Sequence, residues 1–264
     1  IPESLSFAIL AGLSPLIGLY GAVIMGLITA VFGGRPGLIS GGAGATVVVL
    51  IALVSSHGVE YLFATLVLAG VLQFMVGAFK LGKFVRLIPQ PVMYGFLNGL
   101  ACIIFMSQIN QFKITGTNEW LSGTVLYVMV GLTLLTIAIV YIVPKITKAI
   151  PASLIAILLI FVVTLVFKKK KKTVADIANI NGSLPSFHIP MVSLSLETLQ
   201  IIFPYALVMA GVGLIETLLT LTMVDEITNT KGNSNKEAMA QGGANILNGF
   251  FGGMGGCAMV AQTL

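Results

Sequence analysis

The chain has 264 residues, 57% of them hydrophobic and 9% charged, with 30 glycines and a mean hydropathy of +1.03. A soluble domain carries about 25% charged residues, so this composition cannot cover a water-facing surface. It excludes a soluble enzyme, a nucleic-acid binder and a disordered chain. At about 20 apolar residues per span, the length holds roughly eight to ten spans of a polytopic, all-α membrane protein. The net charge of +5 does not imply an anionic polymer partner. Five of the positives form one block, Lys168 to Lys172, and most others lie between apolar runs, where basic loops mark membrane topology. Cys102 and Cys257 stand far apart in apolar or Gly-rich surroundings, which supports neither a disulfide framework nor a metal site. Ile1 begins directly in helix-like apolar sequence without a signal peptide, and Leu264 falls inside another such stretch. The chain reads as a fragment cut at both ends.

In chain order, Ile1 to about Leu13 is the tail of a first span and Leu16 to Phe32 a second. A Gly-rich stretch, Gly33 to Gly44, runs into a third apolar segment, Ala45 to Val54. Tyr61 to Phe79 is a fourth span, ended by Lys80, Lys83, Arg86 and the Pro89-Gln90-Pro91 break. Val92 to Ile109, Leu121 to Val143 and Ala152 to Phe167 are the fifth to seventh. Thr173 to Leu199 is polar enough to lie outside the bilayer core, and its alternating Val192, Leu194 and Leu196 predict a short extended piece. Ile201 to Val224 is an eighth span, Asp225 to Glu237 a polar loop, and Ala238 to Phe251 a ninth span rich in small residues. Gly252 to Leu264 opens a tenth. A cytoplasmic N-terminus places Arg35, Lys80, Lys83, Arg86, Lys145, Lys148, Lys231 and Lys236 on the cytoplasmic side, against Lys113 and the lysine block on the other.

An internal echo points to a site. Ile28-Thr29-Ala30-Val31-Phe32-Gly33-Gly34 leads into Ser40-Gly41-Gly42-Ala43-Gly44-Ala45, and Leu247-Asn248-Gly249-Phe250-Phe251-Gly252-Gly253 leads into Gly255-Gly256-Cys257-Ala258. Phe32 and Phe251 lie 219 residues apart, about seven spans at roughly 31 residues each. Seven is odd, so a repeat of that period is inverted. Paired Gly-interrupted spans mark a transporter's central site. A span that starts as extended chain and turns helical at mid-membrane leaves free N–H groups whose dipoles favour an anion. Gly41 to Thr46 and Cys257 to Thr263 fit such strand-then-helix half-spans.

Glu216 lies inside the eighth span, where a carboxylate is costly and marks a functional site. Thr220, four residues on, shares its helix face, and the pair could bind a cation or exchange a proton. Glu3 beside Pro2, and Phe7 one turn on, are weaker candidates in the first span. His57 reads as an interfacial loop residue, and His188 has no ligand-spaced partner. Asn98, Asn245 and Asn248 read as hydrogen-bonding groups between helices, and Asp225 and Glu226 as solvated. No nucleophile–base arrangement or phosphate loop is present in a plausible context, so no enzymatic activity is expected.

The chain resembles the SulP anion permeases, the sulfate permease or solute carrier family 26. The match runs through Pro2-Glu3-Ser4-Leu5-Ser6-Phe7-Ala8, Gly18-Leu19-Tyr20-Gly21-Ala22, Leu38-Ile39-Ser40-Gly41 and Phe79-Lys80-Leu81-Gly82-Lys83. It continues through Leu214-Ile215-Glu216-Thr217-Leu218-Leu219-Thr220 and from Asn233 to Met259. The resemblance implies fourteen spans in two inverted seven-span repeats, core and gate domains, elevator-like movement and often a cytoplasmic STAS domain. Residues 1–264 would then be an incomplete transmembrane domain, without the final four spans or a STAS domain and therefore not transport-competent alone. It also implies an anion site between spans three and ten, closed by spans one and eight. The positions selected here are Phe7, Gly42, Ala43, Gly44, Val260, Ala261 and Gln262 for substrate, with Glu216 and Thr220 for the coupling ion.

Three departures from the family pattern stand out. A frequent Gln is Glu3 here, the Asp of sodium-coupled bicarbonate members is Glu216, and a Thr in span three is Ala43. The expectation is secondary transport of a small, sulfate-like inorganic anion across the plasma membrane, with no cofactor and with H+ or Na+ as the possible coupling cation. The full-length protein is expected to be a homodimer. A sodium-coupled bicarbonate or dicarboxylate transporter and an anion channel are the alternatives.

Overall fold

The computed structural model describes residues 2–83, 90–114, 119–147, 152–167, 184–193 and 195–263. The chain runs through α1 (Pro2–Leu10), α2 (Pro15–Phe32), β1 (Ser40–Gly41), α3 (Gly44–His57), α4 (Val59–Ala78), α5 (Gln90–Asn110) and α6 (Thr124–Ile146). It continues through α7 (Ala152–Phe167), α8 (Leu196–Thr228), α9 (Ser234–Phe250), β2 (Cys257–Ala258) and α10 (Val260–Thr263). Among the described residues, α2, α4, α6 and α8 are long and apolar enough to cross a membrane, and α3 and α7 are shorter apolar helices. The fold is mostly helical, as the composition requires, and each expected half-span is a short strand followed by a helix.

Two compact units divide the chain, residues 1–104 with 180–264, and residues 105–179. In the smaller unit α6 packs on α7. A short turn ahead of α6 is closed by the Ile114 N–H on Glu119 O (2.9 Å) and the Leu121 N–H on Phe112 O (2.8 Å). Much of α6 stays exposed, including Leu134, Ile137 and Tyr141, as suits a helix whose outer face meets lipid.

In the larger unit α4 and α9 pack extensively on each other, and glycines make it possible. A Cβ on Gly242 would lie 2.4 Å from Phe74 N and 2.6 Å from Gly70 O, and one on Gly249 would lie 2.7 Å from Phe63 O. Small residues let helix backbones approach where lipid supplies no hydrophobic drive for association. The core beside this pair holds Phe7, Leu50, Leu53, Leu62, Leu66, Met209 and Met254.

The structure corrects three expectations. The 192–196 piece is not extended up to Leu196, because Leu196 opens α8 (Leu194 lies outside the described residues). Ser195 accepts the Thr198 N–H at 3.1 Å, so a local N-cap overrides the alternation. The polar loop after the eighth span shrinks to a few residues, since α8 runs to Thr228 and ends on left-handed Asn229, and Asn233 caps α9. Asp225 is not solvated either: its Oδ1 lies 3.3 Å from Arg35 Nη1 and accepts the Gly232 N–H at 2.8 Å. Arg35 is itself buried, and it donates further to Thr230 Oγ1 (2.7 Å), Val224 O (3.3 Å) and Thr228 Oγ1. The lysine block 168–172 lies outside the described residues.

On the segment before α8, His188 finds a partner that its sequence spacing did not show. Its Nε2 lies 3.6 Å from Glu60 Oε2, and its backbone N–H donates to Phe250 O at 2.8 Å. Asn245 joins helices as expected, whereas Asn248 Nδ2 donates to Ala244 O within α9 and Asn98 is exposed.

The α4–α9 contact yields a paired prediction. Gly242→Ala overpacks the interface and costs about 1–3 kcal/mol, which lowers the melting temperature of the purified protein. Gly243→Ala, where a Cβ meets nothing within 4 Å, keeps or raises it through up to about 1 kcal/mol of helix propensity. Equal melting of the two variants would contradict the close-packing assignment.

Candidate functional site

The Gly-rich stretches expected to face each other do so by backbone pairing. β1 and β2 run antiparallel, with Ser40 opposite Ala258 and Gly41 opposite Cys257. The ladder extends through the Met259 N–H on Ile39 O at 2.8 Å, and the Ile39 N–H donates to Thr263 Oγ1 at 3.1 Å. Each strand leads within three residues into a helix, so antiparallel pairing sends α3 and α10 in opposite directions, with both N-termini turned toward the crossing. A Cβ on Gly256 would fall 1.8 Å from Gly41 O; only glycine lets the two chains approach this closely.

Irregular backbone at this depth must have its polar groups satisfied by protein. Gly256 O accepts from Gln241 Nε2 (3.2 Å) and Asn245 Nδ2 (3.0 Å), and the Gly256 N–H donates to Asn245 Oδ1 (2.9 Å). Asn245 also donates to Gln73 Oε1 on α4 at 2.8 Å. Gln241 and Asn245 lie four residues apart on one face of α9, and with Gln73 they hold the bend before β2.

At the start of α3, Gly42, Ala43 and Gly44 are buried. Ala43 is the N-cap and offers no side-chain acceptor. The first bonds back to it come from the Thr46 and Val47 N–H groups at 3.1 and 3.2 Å, so the Gly44 and Ala45 N–H groups precede the internal ladder. Ala43 packs with Cys257 and Met259. On the opposite half-span, Val260, Ala261 and Gln262 lie in α10. The β1–β2 pair joins the chain that leads into α3 to the chain that leads into α10, and Ala43 is the proposed substrate residue packed across it, on Cys257 and Met259.

α8 flanks this crossing. Glu216 is 6% exposed, and its Oε2 accepts from Cys257 Sγ at 3.0 Å. Thr217 Oγ1 accepts the Ala258 N–H at 3.0 Å, which fastens α8 to β2. Thr220 lies on the expected face, but its hydroxyl donates to the Glu216 backbone carbonyl at 2.7 Å rather than to the carboxylate. From α1, Glu3 accepts a hydrogen bond from Gln262 Nε2 on α10. Glu3 thus touches α10, and Glu216 touches the β2 strand that leads into it. Phe7 lies instead in the apolar core with Val47 and Leu50, as a packing residue.

The sequence reading passed over Cys257, Thr217, Gln73 and Gln241. Two of these carried a usable signal: Gln73 is a lone amide inside an apolar span, and Gln241 sits one turn before Asn245. Cys257 and Thr217 carried none, because their roles exist only once α8 lies against β2. Among the described residues, no group of three His, Cys, Asp or Glu side chains could hold a metal ion.

A sulfate permease family model matches residues 1–264. The chain is 44% identical to YbaR of Bacillus subtilis, provisionally named a sulfate transporter, over 100% of this chain and 53% of that protein. It is 32% identical to the bicarbonate transporter BicA of Picosynechococcus, over 100% of this chain and 50% of BicA. The chain thus spans about half the length of the curated relatives it matches. The solved transmembrane domain of a cyanobacterial BicA superposes with a TM-score of 0.84 at 31% identity, covering 100% of this chain and 72% of that one. Murine solute carrier 26 family member A9 shares the fold, with a TM-score of 0.74 at 17% identity over 99% of this chain and 50% of that one. With apolar spanning helices arranged as in these proteins, the chain is part of a multi-pass membrane protein and belongs to the sulfate permease family.

Proposed function

We infer that the full-length protein is a secondary transporter that moves a small inorganic, sulfate-like anion across the plasma membrane. The observation that carries this reading is the antiparallel β1–β2 crossing, from which α3 and α10 start in opposite directions. The start of α3 contributes a partial positive charge of up to about half an elementary charge, and the start of α10 adds N–H groups aimed at the same crossing. The N–H groups of Gly44, Ala45, Val260 and Ala261 would hold the anion without a lysine or arginine. The small residues Gly42, Ala43 and Gly44 add no bulky side chain in front of these N–H groups. Likeness to relatives named as sulfate and bicarbonate transporters supports an anion as cargo.

The charges at the site also support coupling. Glu3 and Glu216 beside an anion would place three negative groups in one poorly hydrated region, where Coulomb repulsion is weakly screened. A proton or Na+ entering with the anion offsets that repulsion, and Glu216, whose carboxylate accepts from Cys257, is the group that would carry it. In this reading the ten helical segments form the first part of a fourteen-span fold of two inverted repeats, which acts as a homodimer. Bicarbonate is the second cargo to test, because BicA matches both in sequence and in three-dimensional structure.

Uptake of radiolabelled sulfate and bicarbonate by the full-length protein in proteoliposomes tests the reading. Saturable uptake of one of them, stimulated by an inward H+ or Na+ gradient, is expected. Unitary channel currents without saturation would replace the carrier with a channel. Glu216→Gln should retain anion binding yet lose the stimulation by the gradient; a variant that responds to the gradient like the parent would remove Glu216 from coupling. Gly256→Ala should reduce uptake at least tenfold, because its Cβ would fall 1.8 Å from Gly41 O and separate the two strands, an overpacking cost of about 1–3 kcal/mol. Unimpaired uptake would sink the crossing as the anion site.

A further inference from the structure

A groove on the outer face of α9, away from the crossing, has a volume of about 560 Å³. Its floor is Ala240 and Gly243 on α9, and its walls include Ile28 and Phe32 of α2 and Phe74 of α4. Gly243 leaves open space where a side chain would stand, and Phe32 and Phe74 are exposed. The surrounding surface is apolar, with Leu27, Val31 and Met75 also exposed, as expected of a face turned to lipid.

The groove has one polar end. Lys236, in the first turn of α9, lines it, and no acidic residue does. The neighbouring acid, Glu237, is buried and turned away, with its Oε2 accepting the Gly34 N–H at 2.7 Å. The loop after α4 reaches the same end of α9, where the Gly82 N–H donates to Asn235 Oδ1 at 3.0 Å. From Lys236 to Leu247 at the far end, α9 rises about 16 Å at 1.5 Å per residue. That is the depth of one leaflet, about half of a 30 Å hydrocarbon core.

We propose that this α2–α4–α9 groove binds one anionic phospholipid, with an acyl chain along Ala240 and Gly243 and the headgroup phosphate on Lys236. Length, apolarity and a cationic rim at the headgroup end match such a lipid together. A zwitterionic lipid would fill the same channel, but its own positive group would compete for the phosphate and weaken the contact with the lysine.

Native mass spectrometry of the full-length protein, loaded with phosphatidylglycerol or phosphatidylcholine, tests the proposal. The parent should retain phosphatidylglycerol in preference. Lys236→Gln, an exposed substitution that leaves the helix packing intact, should cut that preference about fivefold, the factor one lysine is worth beside an anionic lipid surface. Gly243→Leu, which fills the floor, should remove the retained lipid of either kind. Equal retention of the two lipids by the parent, or an unchanged preference in Lys236→Gln, would overturn it. So would cross-linking of Gly243→Cys to a second copy or to another segment of the longer protein, since protein would then occupy the groove.

Discussion

The crossing of two short strands, Ser40–Gly41 on Cys257–Ala258, is the constraint on which the rest of the larger unit depends. It joins segments more than 200 residues apart in sequence and sets where two helices begin. A pair of breaks in membrane spans is costly unless every exposed N–H and C=O finds a partner. Here the breaks use each other as partners, and the remaining groups are met by Gln241, Asn245 and Thr217. The Gly44 and Ala45 N–H groups at the start of α3 precede the bonds that Thr46 and Val47 make to Ala43 O, and such groups are suited to a negative solute.

Around that crossing the polar groups hold distinct joints. Gln73, Gln241 and Asn245 hold the bend, Glu216 and Cys257 lie against β2, and Arg35 with Asp225 closes the far end of α8. The Arg35 contact matters for the site because Arg35 sits just before β1, whereas Asp225 is nine residues beyond Glu216 on α8. The loop that feeds one half-span is therefore tied to the helix that carries the carboxylate. Breaking a buried pair of this kind leaves an uncompensated charge, so the strand and α8 are held to a common frame.

Two sets of small residues serve two surfaces of α9. Toward α4, Gly242 and Gly249 allow backbone contact; toward the perimeter, Ala240 and Gly243 leave a channel between α2 and α4. One face is closed by protein and the other is left for the solvent of the bilayer. A helix made of larger residues could pack in neither way.

Composition alone determined that this chain lives in a membrane, since 9% charged residues cannot clothe a soluble surface. Its glycine echo located the two stretches that pair as β1 and β2, because a run of residues without side chains inside apolar sequence is itself the signal, and Glu216 declared itself as a carboxylate where lipid penalises charge. Tertiary structure decided the partners. Cys257 on Glu216, Ala258 on Thr217 and Arg35 on Asp225 join residues far apart in sequence, and no local pattern encodes a contact made only when helices pack. It also moved Phe7 into the core and extended α8 to Thr228. Whether a side chain lines a site or fills a core, and whether an acid is solvated or paired, depends on what lies across from it.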